Sequence, residues 1–469
     1  MTYEASSSTL ELSEADSAIE DRAREDRLAH KVLESTAMRA TYWTVMDYGC
    51  SMALRVVNSL ILTRVLMPEA FGLMTLVTTL IVGISLLSDI GLGPSVIQNP
   101  RGDEPALLNT AWTLQVLRGL GICLVSFILA WPMSLFYHEP RLMALLPALG
   151  VNVVIGAFNS TNLLSMARHM GVRRLFLLDF TTQIVSLLIT VGCALVYRSV
   201  WALVIGAILS AVYRLALSYY RPLIPGIRNS FCWDPESVHG LVHFGKWILL
   251  ATAFYFFASQ ADRLILGKLI SFSLLGVYGI AFSVSEIPRS VINAFAQKVG
   301  YPFIAKMAHL PAVEFRKVFL RYRFYVLSAG AVLLCLMVHL GGFLVTKMYD
   351  ARYHAAGWMV PILALGLWHT LMYATTMPAL FTLGKSQYAA IGNASYCIAV
   401  VTAIPLAFYF FGMFGAVIAV AAGDFPLYIV TVTGASREGV STWKQDLQAT
   451  GIFLALLGVG LALRISIIR

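Results

Sequence analysis

The hydrophobicity of this chain varies in long blocks. From Tyr42 to the C-terminus, apolar runs alternate with short polar connections. Many of the runs are close to the roughly 20 residues that a helix needs to cross a bilayer. The pattern predicts twelve core spans and one additional C-terminal span: 42–66, 73–98, 107–131, 142–165, 176–197, 199–220, 245–268, 273–298, 323–348, 357–382, 387–410, 413–434 and 449–467. We therefore predict an all-α polytopic membrane protein.

Composition supports this fold class. Hydrophobic residues make up 58% of the 469 residues, and charged residues make up 13%. A soluble protein carries about 25% charged residues, so a soluble fold is excluded. The net charge of +9 raises the alternative of a nucleic-acid partner. The basic residues form no patch, however, because they lie in short connections between the spans. We predict a bilayer environment and no nucleic-acid partner.

The cysteines show neither the pairing of a disulfide framework nor the spacing of a metal site. All except Cys232 fall inside the predicted spans or at their edges. The six are Cys50, Cys123, Cys193, Cys232, Cys335 and Cys397. We expect them to act as small hydrophobic side chains, and we predict no metal and no cofactor.

The distribution of basic residues predicts the orientation, since Lys and Arg mark cytoplasmic loops. With a cytoplasmic N-terminus, the outer loops contain five basic residues, and most of the others lie in the tail and the inner loops. The five are Arg141, Arg198, Lys268, Lys347 and Arg352. Segment 1–40 is highly charged and lacks the apolar core of a signal peptide, so we predict a cytoplasmic tail. The extra span leaves the side of the C-terminus open.

One short segment occurs twice. "ILTRVLMPEAFGLM" (Ile61–Met74) aligns without a gap with "ILGKLISFSLLGVY" (Ile265–Tyr278), and Gly72 is matched with Gly276. Each copy joins the end of one predicted span to the start of the next. Chance similarity between apolar segments is the alternative. A repeat six spans apart predicts two pseudo-symmetric six-helix bundles around a central cavity, related by an axis along the membrane normal.

The repeat also predicts the division of the chain. The longest cytoplasmic connection between spans falls where a linker between two bundles belongs. The predicted units are a tail (1–40), an N-lobe (41–221), a cytoplasmic linker (222–246), a C-lobe (247–435) and a C-terminal loop with the extra helix (436–469).

Arginines inside the spans are candidate functional residues, because a charge in mid-membrane is costly unless it faces protein or water. Arg55, Arg118 and Arg289 lie too deep for the side chain to reach the interface easily, so we place them in the cavity. Arg64 and Arg214 lie near span ends and can extend to the interface. Arg263 is intermediate and could pair within its own lobe.

Helical spacing groups several polar residues into stripes. Asp47, Ser51, Arg55 and Asn58 share one face of the first span. A second stripe lies on the eighth span, with Arg289 at its edge, and contains Ser283, Glu286, Ser290, Asn293 and Gln297. We predict that both stripes line the cavity, with Arg55, Arg118, Arg289, Asn58 and Asn293 as cavity residues. Hydrogen bonding between packed helices is the alternative, above all for the serines.

Acidic residues in or near the spans are candidates for ion coupling or gating. They are Asp47, Asp89, Asp262, Glu286 and Asp424. A carboxylate in the membrane could take up a proton or help to bind Na⁺. Asp89 precedes "IGLGP", where it could instead cap a broken helix. Asp424 also lies beside Gly and Pro, and Glu286 could form a static ion pair with Arg289.

Two longer motifs resemble a known family. "FGLMTLVTTLIVGISLLSDIGLGPSVIQ" (Phe71–Gln98) is similar to the second span of Wzx-type polysaccharide flippases. "SQADRLILGKLISFSLLGVYGIAFSVSEIPRSVINAFAQKVGYPFIAKM" (Ser259–Met307) is similar to their seventh and eighth spans. The family belongs to the multidrug/oligosaccharidyl-lipid/polysaccharide exporter superfamily, and colanic-acid-type exporters are the most similar branch. The thirteenth span departs from the twelve that are usual there.

The resemblance implies a function. It implies movement of an oligosaccharide linked to undecaprenyl pyrophosphate across the bacterial inner membrane by alternating access, for exopolysaccharide or lipopolysaccharide biosynthesis. A polysaccharide polymerase or co-polymerase partner stays open. A multidrug or small-solute exporter of the same superfamily is the main alternative. An enzyme is not predicted, because the outer loops are short and contain no catalytic constellation.

Overall fold

The computed structural model describes residues 42–468, apart from 45, 170, 221–222, 225, 237, 239–251, 253–255, 258, 296–303 and 305–310. Within that part of the chain the regular structure is helical and includes no strand. The prediction of an all-α fold is confirmed.

The helices are numbered here in chain order. The N-terminal half contains α1 (Tyr42–Val65), α2 (Pro68–Leu86), α3 (Leu92–Gln98), α4 (Pro105–Tyr137), α5 (Leu142–Ala157), α6 (Asn162–Arg168), α7 (Val172–Tyr197) and α8 (Val200–Ser218). The C-terminal half contains α9 (259–269), α10 (Phe272–Phe295), α11 (Ala312–Met348), α12 (Ala356–Thr382), α13 (Gln387–Ala422), α14 (Phe425–Arg437) and α15 (Trp443–Ile468). A short 3₁₀ helix, Ala351–Tyr353, follows α11.

The chain is a multi-span membrane protein. Over the described residues, nine helices are long and apolar enough to cross a bilayer, and the bent pair α5–α6 makes a tenth. That count treats 387–437 as one helix of 51 residues. At 1.5 Å per residue such a helix would be about 76 Å long, more than twice the apolar thickness of a bilayer.

The segment 387–437 in fact folds back on itself. Gly412 has non-helical backbone angles (φ 59°, ψ −148°), which a residue with a side chain rarely adopts. On either side of it, Gly415 approaches the main-chain oxygen of Ala407, and Gly434 approaches the ring of Tyr388. Two antiparallel arms, 387–411 and 413–437, therefore occupy the positions predicted for two spans.

Two predicted spans are interrupted. The span 73–98 is divided into α2 and α3 at Gly91, which adopts a left-handed conformation (φ 62°). The span 142–165 is divided into α5 and α6, which meet at 62°. The break at Gly91 matches the broken helix that "IGLGP" predicts. The bend between α5 and α6 was not predicted, because hydropathy reports burial in lipid and not the local backbone conformation.

The repeated glycines meet at the contact between the two halves. A methyl group on Gly72 would overlap the main chain of Phe272, and one on Gly276 would overlap the main chain of Pro68. In the sequence alignment Pro68 corresponds to Phe272. The contact is thus reciprocal, as a twofold axis between the copies requires. The full twelve-span symmetry stays a prediction, and this contact supports it.

The C-terminal helix α15 is part of the C-terminal half. Its Asp446 pairs with Arg323 of α11, and both side chains are buried. Further along, Gly460 of α15 packs against the ring of His339 in α11. The second contact lies further along both helices than the first, so α11 and α15 run parallel.

The described part of the predicted linker is attached to the N-terminal half. The side chain of Asn162 exchanges two hydrogen bonds with the main chain of Ile227. The main-chain N–H groups of Cys232 and Asp234 donate to threonine hydroxyls of α4. Residues 226–234 therefore lie against this half, and the division of the chain at 222 stays a prediction.

Candidate functional site

A central cavity of about 610 Å³ lies between the two halves. Helices α1, α2, α7 and α8 line it from one half, and α9 and α10 line it from the other. Its polar lining includes Arg55, Asn58, Thr75, Thr79, Gln260 and Arg263. Among the described residues around it, none is Asp or Glu. The cavity therefore suits a polar ligand with negative charge.

A lateral gap of about 440 Å³ adjoins the central cavity between α1 and the pair α10–α11. Its lining is largely apolar and includes Met52, Val56, Phe282, Leu344 and Met348. A closed contact between the halves lies at α2. There, Phe256 packs on Gly83, and the hydroxyl of Thr252 donates to the main-chain oxygen of Leu86 at 2.9 Å.

Two arginines mark the junction of these spaces. Arg55 of α1 and Arg263 of α9 line both the central cavity and the lateral gap. Arg55 is exposed and has no ion-pair partner among the described residues. Arg263 donates to Gln260 and lies over the ring of Phe282, with 4.5 Å between its guanidinium carbon and the ring centroid. Both guanidinium groups can therefore receive an anion.

A third space, the C-half cavity, has a volume of about 350 Å³ and lies among α9, α10, α12, α13 and α14. Arg289 reaches into it from α10, one residue beyond Pro288, which removes a helical hydrogen bond. Its guanidinium lies 3.2 Å from Glu286 and 3.5 Å from Asp424. The sequence placed Arg289 and Glu286 in the central cavity, and the structure places Arg289 with these acids instead.

Asp424 occupies the break between α13 and α14. Its Oδ1 lies 2.5 Å from His369 Nε2, and its Oδ2 accepts from the hydroxyl of Thr370 at 2.5 Å. Phe425 and Pro426 begin the next helix, whose first turn cannot use all its N–H groups internally. The side chain is 5% exposed, so this carboxylate depends on its protein partners.

Asp262 lies on the same side of the C-terminal half. It is buried and accepts a hydrogen bond of 2.5 Å from the hydroxyl of Tyr278. Asp262, Glu286 and Asp424 all line the C-half cavity. Three of the five acidic candidates are thus brought together, although they come from three separate segments of the chain.

Arg118 and Asp89 form a different site. Arg118 donates to the main-chain oxygen of Ser85 at 2.6 Å and lies 3.6 Å from Asp89. Asp89 also accepts from the main-chain N–H of Gly91 at 3.1 Å. Both side chains hold the broken end of α2, and neither lines the three spaces described above. The capping alternative considered for Asp89 matches this geometry.

The remaining candidates divide between the cavity and its surroundings. Asn58 lines the central cavity, and its Oδ1 is buried with no hydrogen-bond partner within the described structure. Ser51 accepts from Gln183 of α7, so it serves helix packing. Asp47 lies half-buried near the start of α1, away from the three spaces. The side chain of Asn293 lies outside the described residues.

Sequence reasoning missed His369 and Thr370. Each lies at the middle of α12, where the polar residues at helical spacing, Tyr373 and Thr376, carry no charge, so the sequence shows no charged stripe. The available signal was a single histidine at the centre of an apolar span, which is unusual in lipid. Over the described residues, no group of three His, Cys, Asp or Glu side chains could hold a metal ion.

Curated proteins with similar sequences act in polysaccharide biosynthesis. The amylovoran biosynthesis protein AmsL of Erwinia amylovora is 25% identical over 55% of this chain and 66% of its own length. The lipopolysaccharide biosynthesis protein WzxC of Escherichia coli is 23% identical over 59% of this chain and 56% of its own length. The chain thus matches between about half and two thirds of the length of these relatives.

Solved structures with a similar fold are membrane transporters. The lipid II flippase MurJ in an inward closed conformation has a TM-score of 0.67 at 11% identity, covering 89% of this chain and 92% of that one. An inward-facing multidrug transporter of the MATE family has a TM-score of 0.62 at 13% identity, covering 86% and 95%. At these identities the likeness shows the fold alone.

A family model matches residues 61–323, which include the end of α1, the central cavity's lining from α2 to α10 and the beginning of α11. This region contains both repeated segments and one of the two arginines of the junction, Arg263. It covers more than half of the chain. The chain therefore belongs to the polysaccharide biosynthesis protein family.

Proposed function

We propose that this protein is a flippase that moves an undecaprenyl-pyrophosphate-linked oligosaccharide across the bacterial inner membrane by alternating access. The observation that carries the proposal is the position of Arg55 and Arg263, where the polar central cavity meets the apolar lateral gap. A lipid-linked sugar has the same sequence of parts: a polar glycan, an anionic pyrophosphate and an apolar tail.

Each part of this substrate has a matching surface. The hydroxyl and amide groups of the central cavity can donate to and accept from sugar hydroxyls. The planar guanidinium groups of Arg55 and Arg263 suit the phosphate oxygens. The lateral gap would let the lipid tail stay in the bilayer while the head group crosses. The pyrophosphate then lies at the junction.

The state of the molecule fits an early step of transport. The halves are in contact at the end where α1 turns into α2, through Gly72 and Gly276. With the N-terminus in the cytoplasm, as the basic residues favour, this end is periplasmic. The substrate would then enter from the cytoplasmic leaflet through the lateral gap. Rocking of the halves about the reciprocal contact would expose the cavity to the other side.

The relatives support this substrate class. Those named above act in amylovoran and lipopolysaccharide biosynthesis. A further relative is the succinoglycan biosynthesis transport protein ExoT of Rhizobium meliloti, 21% identical over 58% of this chain. A role in exopolysaccharide or lipopolysaccharide biosynthesis follows from this group. A polymerase or co-polymerase is the expected partner, since flipped repeat units must be joined.

A multidrug exporter is the second candidate, because a MATE transporter shares the fold. Organic cations would need a carboxylate in the cavity. The described lining of the central cavity contains two arginines and no acid, which favours an anionic substrate.

The test uses cells that lack this protein and keep the early glycosyltransferases. Lipid extracts are examined by mass spectrometry for pyrophosphate-linked repeat units, and a periplasmic probe reports their side. The expected result is accumulation on the cytoplasmic side, reversed by the intact gene and not by Arg55→Ala. Normal surface polysaccharide without accumulation would reject the proposal in favour of a small-solute exporter.

A further inference from the structure

The C-half cavity contains charges that the proposed transport step does not use. Three carboxylates, two guanidinium groups and one imidazole face the cavity or pair with a group that lines it. From α9 come Asp262 and Arg263, from α10 Glu286 and Arg289, from α12 His369, and from the α13–α14 break Asp424. The hydroxyls of Tyr278, Tyr373 and Tyr396 are the other titratable groups near them.

These charges do not balance unless a proton is added. With a neutral imidazole, three negative and two positive charges leave one negative charge inside the membrane. A net charge there is strongly disfavoured, because lipid and protein replace the water that would solvate it. One bound proton makes the cluster neutral.

The geometry indicates where the proton resides. His369 Nε2 lies 2.5 Å from Asp424 Oδ1. Within the described structure this nitrogen has no hydrogen-bond partner. Two atoms that both carried only lone pairs would repel each other at this distance, so a proton taken up by the pair stabilises it. Asp424 Oδ2 is already engaged by the hydroxyl of Thr370. The imidazole can accept a second proton on its other nitrogen, which makes it the adaptable member of the pair.

We propose that the cluster around the His369–Asp424 pair binds one exchangeable proton during the transport cycle. A sodium ion fits this site less well than a proton. The Oδ2 of Asp424 already accepts from the hydroxyl of Thr370 and lies 3.5 Å from Arg289, which places a fixed positive charge among the acids. A metal ion would have to displace these donors.

Arg263 links the proton site to the transport site. It lines the central cavity, the lateral gap and the C-half cavity, and it acts electrostatically on Glu286. A pyrophosphate bound to Arg263 offsets the positive charge that balances the acids, so the cluster then holds its proton more tightly. By reciprocity, proton binding strengthens pyrophosphate binding. This link rests on the proposed function, whereas the proton site itself does not.

The proton site can be tested without substrate. The full chain is reconstituted in liposomes on a solid-supported membrane, and the charge displaced by a jump from alkaline to acidic pH is recorded. The wild type should give a transient current. Asp424→Asn and His369→Gln should each reduce it to the level of protein-free liposomes. Two variants are used so that the test does not depend on the folding of one of them. Size-exclusion profiles check that both variants are folded.

The matched control is Asp89→Asn. Asp89 is also a carboxylate at a broken helix beside an arginine, but it belongs to the N-terminal half. Its variant should keep the current. Three outcomes would overturn the proton site: no current in the wild type, a current that survives in both C-terminal-half variants, or an equal current after a Na⁺ jump at constant pH.

A second arm tests the link. Undecaprenyl pyrophosphate is added to the liposomes, and the midpoint pH of the current is measured. The midpoint should move to higher pH in the wild type and stay fixed in Arg263→Ala. If the midpoint pH of the current is the same with and without the lipid, the proton site is supported and its link to Arg263 is rejected. The same result would count against the proposed substrate. The two proposals therefore fail separately.

Discussion

Arg352 of the C-terminal half donates from its Nη2 to the main-chain oxygen of Thr63 in the N-terminal half, at 3.2 Å. The same atom lies 3.1 Å from the main-chain oxygen of Arg64, and the hydroxyl of Tyr353 donates to Leu66. These carbonyl groups end α1 and have no partner within the helix. One half of the protein therefore caps a helix of the other.

A second contact between the halves lies nearby. Lys268 of the C-terminal half also donates to a helix end of the N-terminal half, at the main-chain oxygen of Phe136 in α4. In the reverse direction, the hydroxyl of Tyr137 donates to the main-chain oxygen of Leu264 in α9. These two sets of bonds, which cross from one half to the other and are called the crossed caps below, join the halves at the end where Gly72 meets Gly276. This end can open only if both sets of hydrogen bonds are replaced by hydrogen bonds to water.

The first prediction concerns these crossed caps. Replacing Arg352 and Lys268 together by Ala should favour separation of the halves at this end, since water then competes with fewer protein donors. The measurement is the rate at which an impermeant maleimide labels Thr75→Cys in the central cavity, in a chain without its native cysteines. The rate should rise in the double variant.

Arg141→Ala serves as the control for that experiment. Arg141 lies at the same end, but its partners Glu69 and Glu139 belong to its own half. Its loss should leave the labelling rate unchanged. Equal rates in the wild type and the double variant would show that the crossed caps do not hold this end closed.

The second prediction concerns the junction of cavity and gap. Arg55→Ala should abolish transport at normal expression, because one of two phosphate-binding groups is lost. Arg55→Lys should retain part of it, since Lys keeps the charge without the planar fork. Transport is read as surface polysaccharide. Arg64→Ala, about two and a half turns along α1 and exposed, is the control and should transport normally.

The third prediction concerns the contact between the repeated glycines. Gly72→Val should destabilise the protein by about 1–3 kcal/mol, the usual cost of overpacking, since α2 would be pushed from α10. Thermal unfolding in detergent measures the effect. Gly121→Ala in α4 is the control, because nothing lies within 4 Å of its added methyl group. An unchanged melting temperature for Gly72→Val would mean that the helices can separate freely.

The fourth prediction concerns the buried pair that holds α15. Arg323→Met should destabilise the protein by about 3–5 kcal/mol, because the charge of Asp446 would remain buried without its partner. Adding Asp446→Leu should recover most of the loss, since no charge is then left. The measurement is again thermal unfolding. A double variant less stable than Arg323→Met would contradict this account.

The positions of the spans and the importance of Arg55 could be predicted from the sequence. Hydropathy follows from burial in lipid, and a mid-span arginine must face water or protein. The direction that an arginine faces is a tertiary property. Arg118 turns toward the broken end of α2, a break created by the backbone of Gly91. The spacing of polar residues along α4 gives no information about a break in α2.

The C-half cavity was harder to predict for a similar reason. Its charges come from four separate segments, and only Glu286 and Arg289 are close enough in sequence to suggest a pair. His369 and Asp424 meet because α14 folds back beside α12. The reversal at Gly412 falls between the predicted spans 387–410 and 413–434, but the hydrophobic pattern does not report which helices then pack side by side.

The parallel packing of α15 on α11 determines where a reporter attached to this protein would reside. α11 ends beside the caps formed by Arg352 and Tyr353, so α15 also ends on that face. A fluorescent or enzymatic fusion placed after α15 would be separated by the membrane from the linker that follows α8. Reporters on the two sites would therefore give opposite signals in an assay that distinguishes the two sides of the membrane.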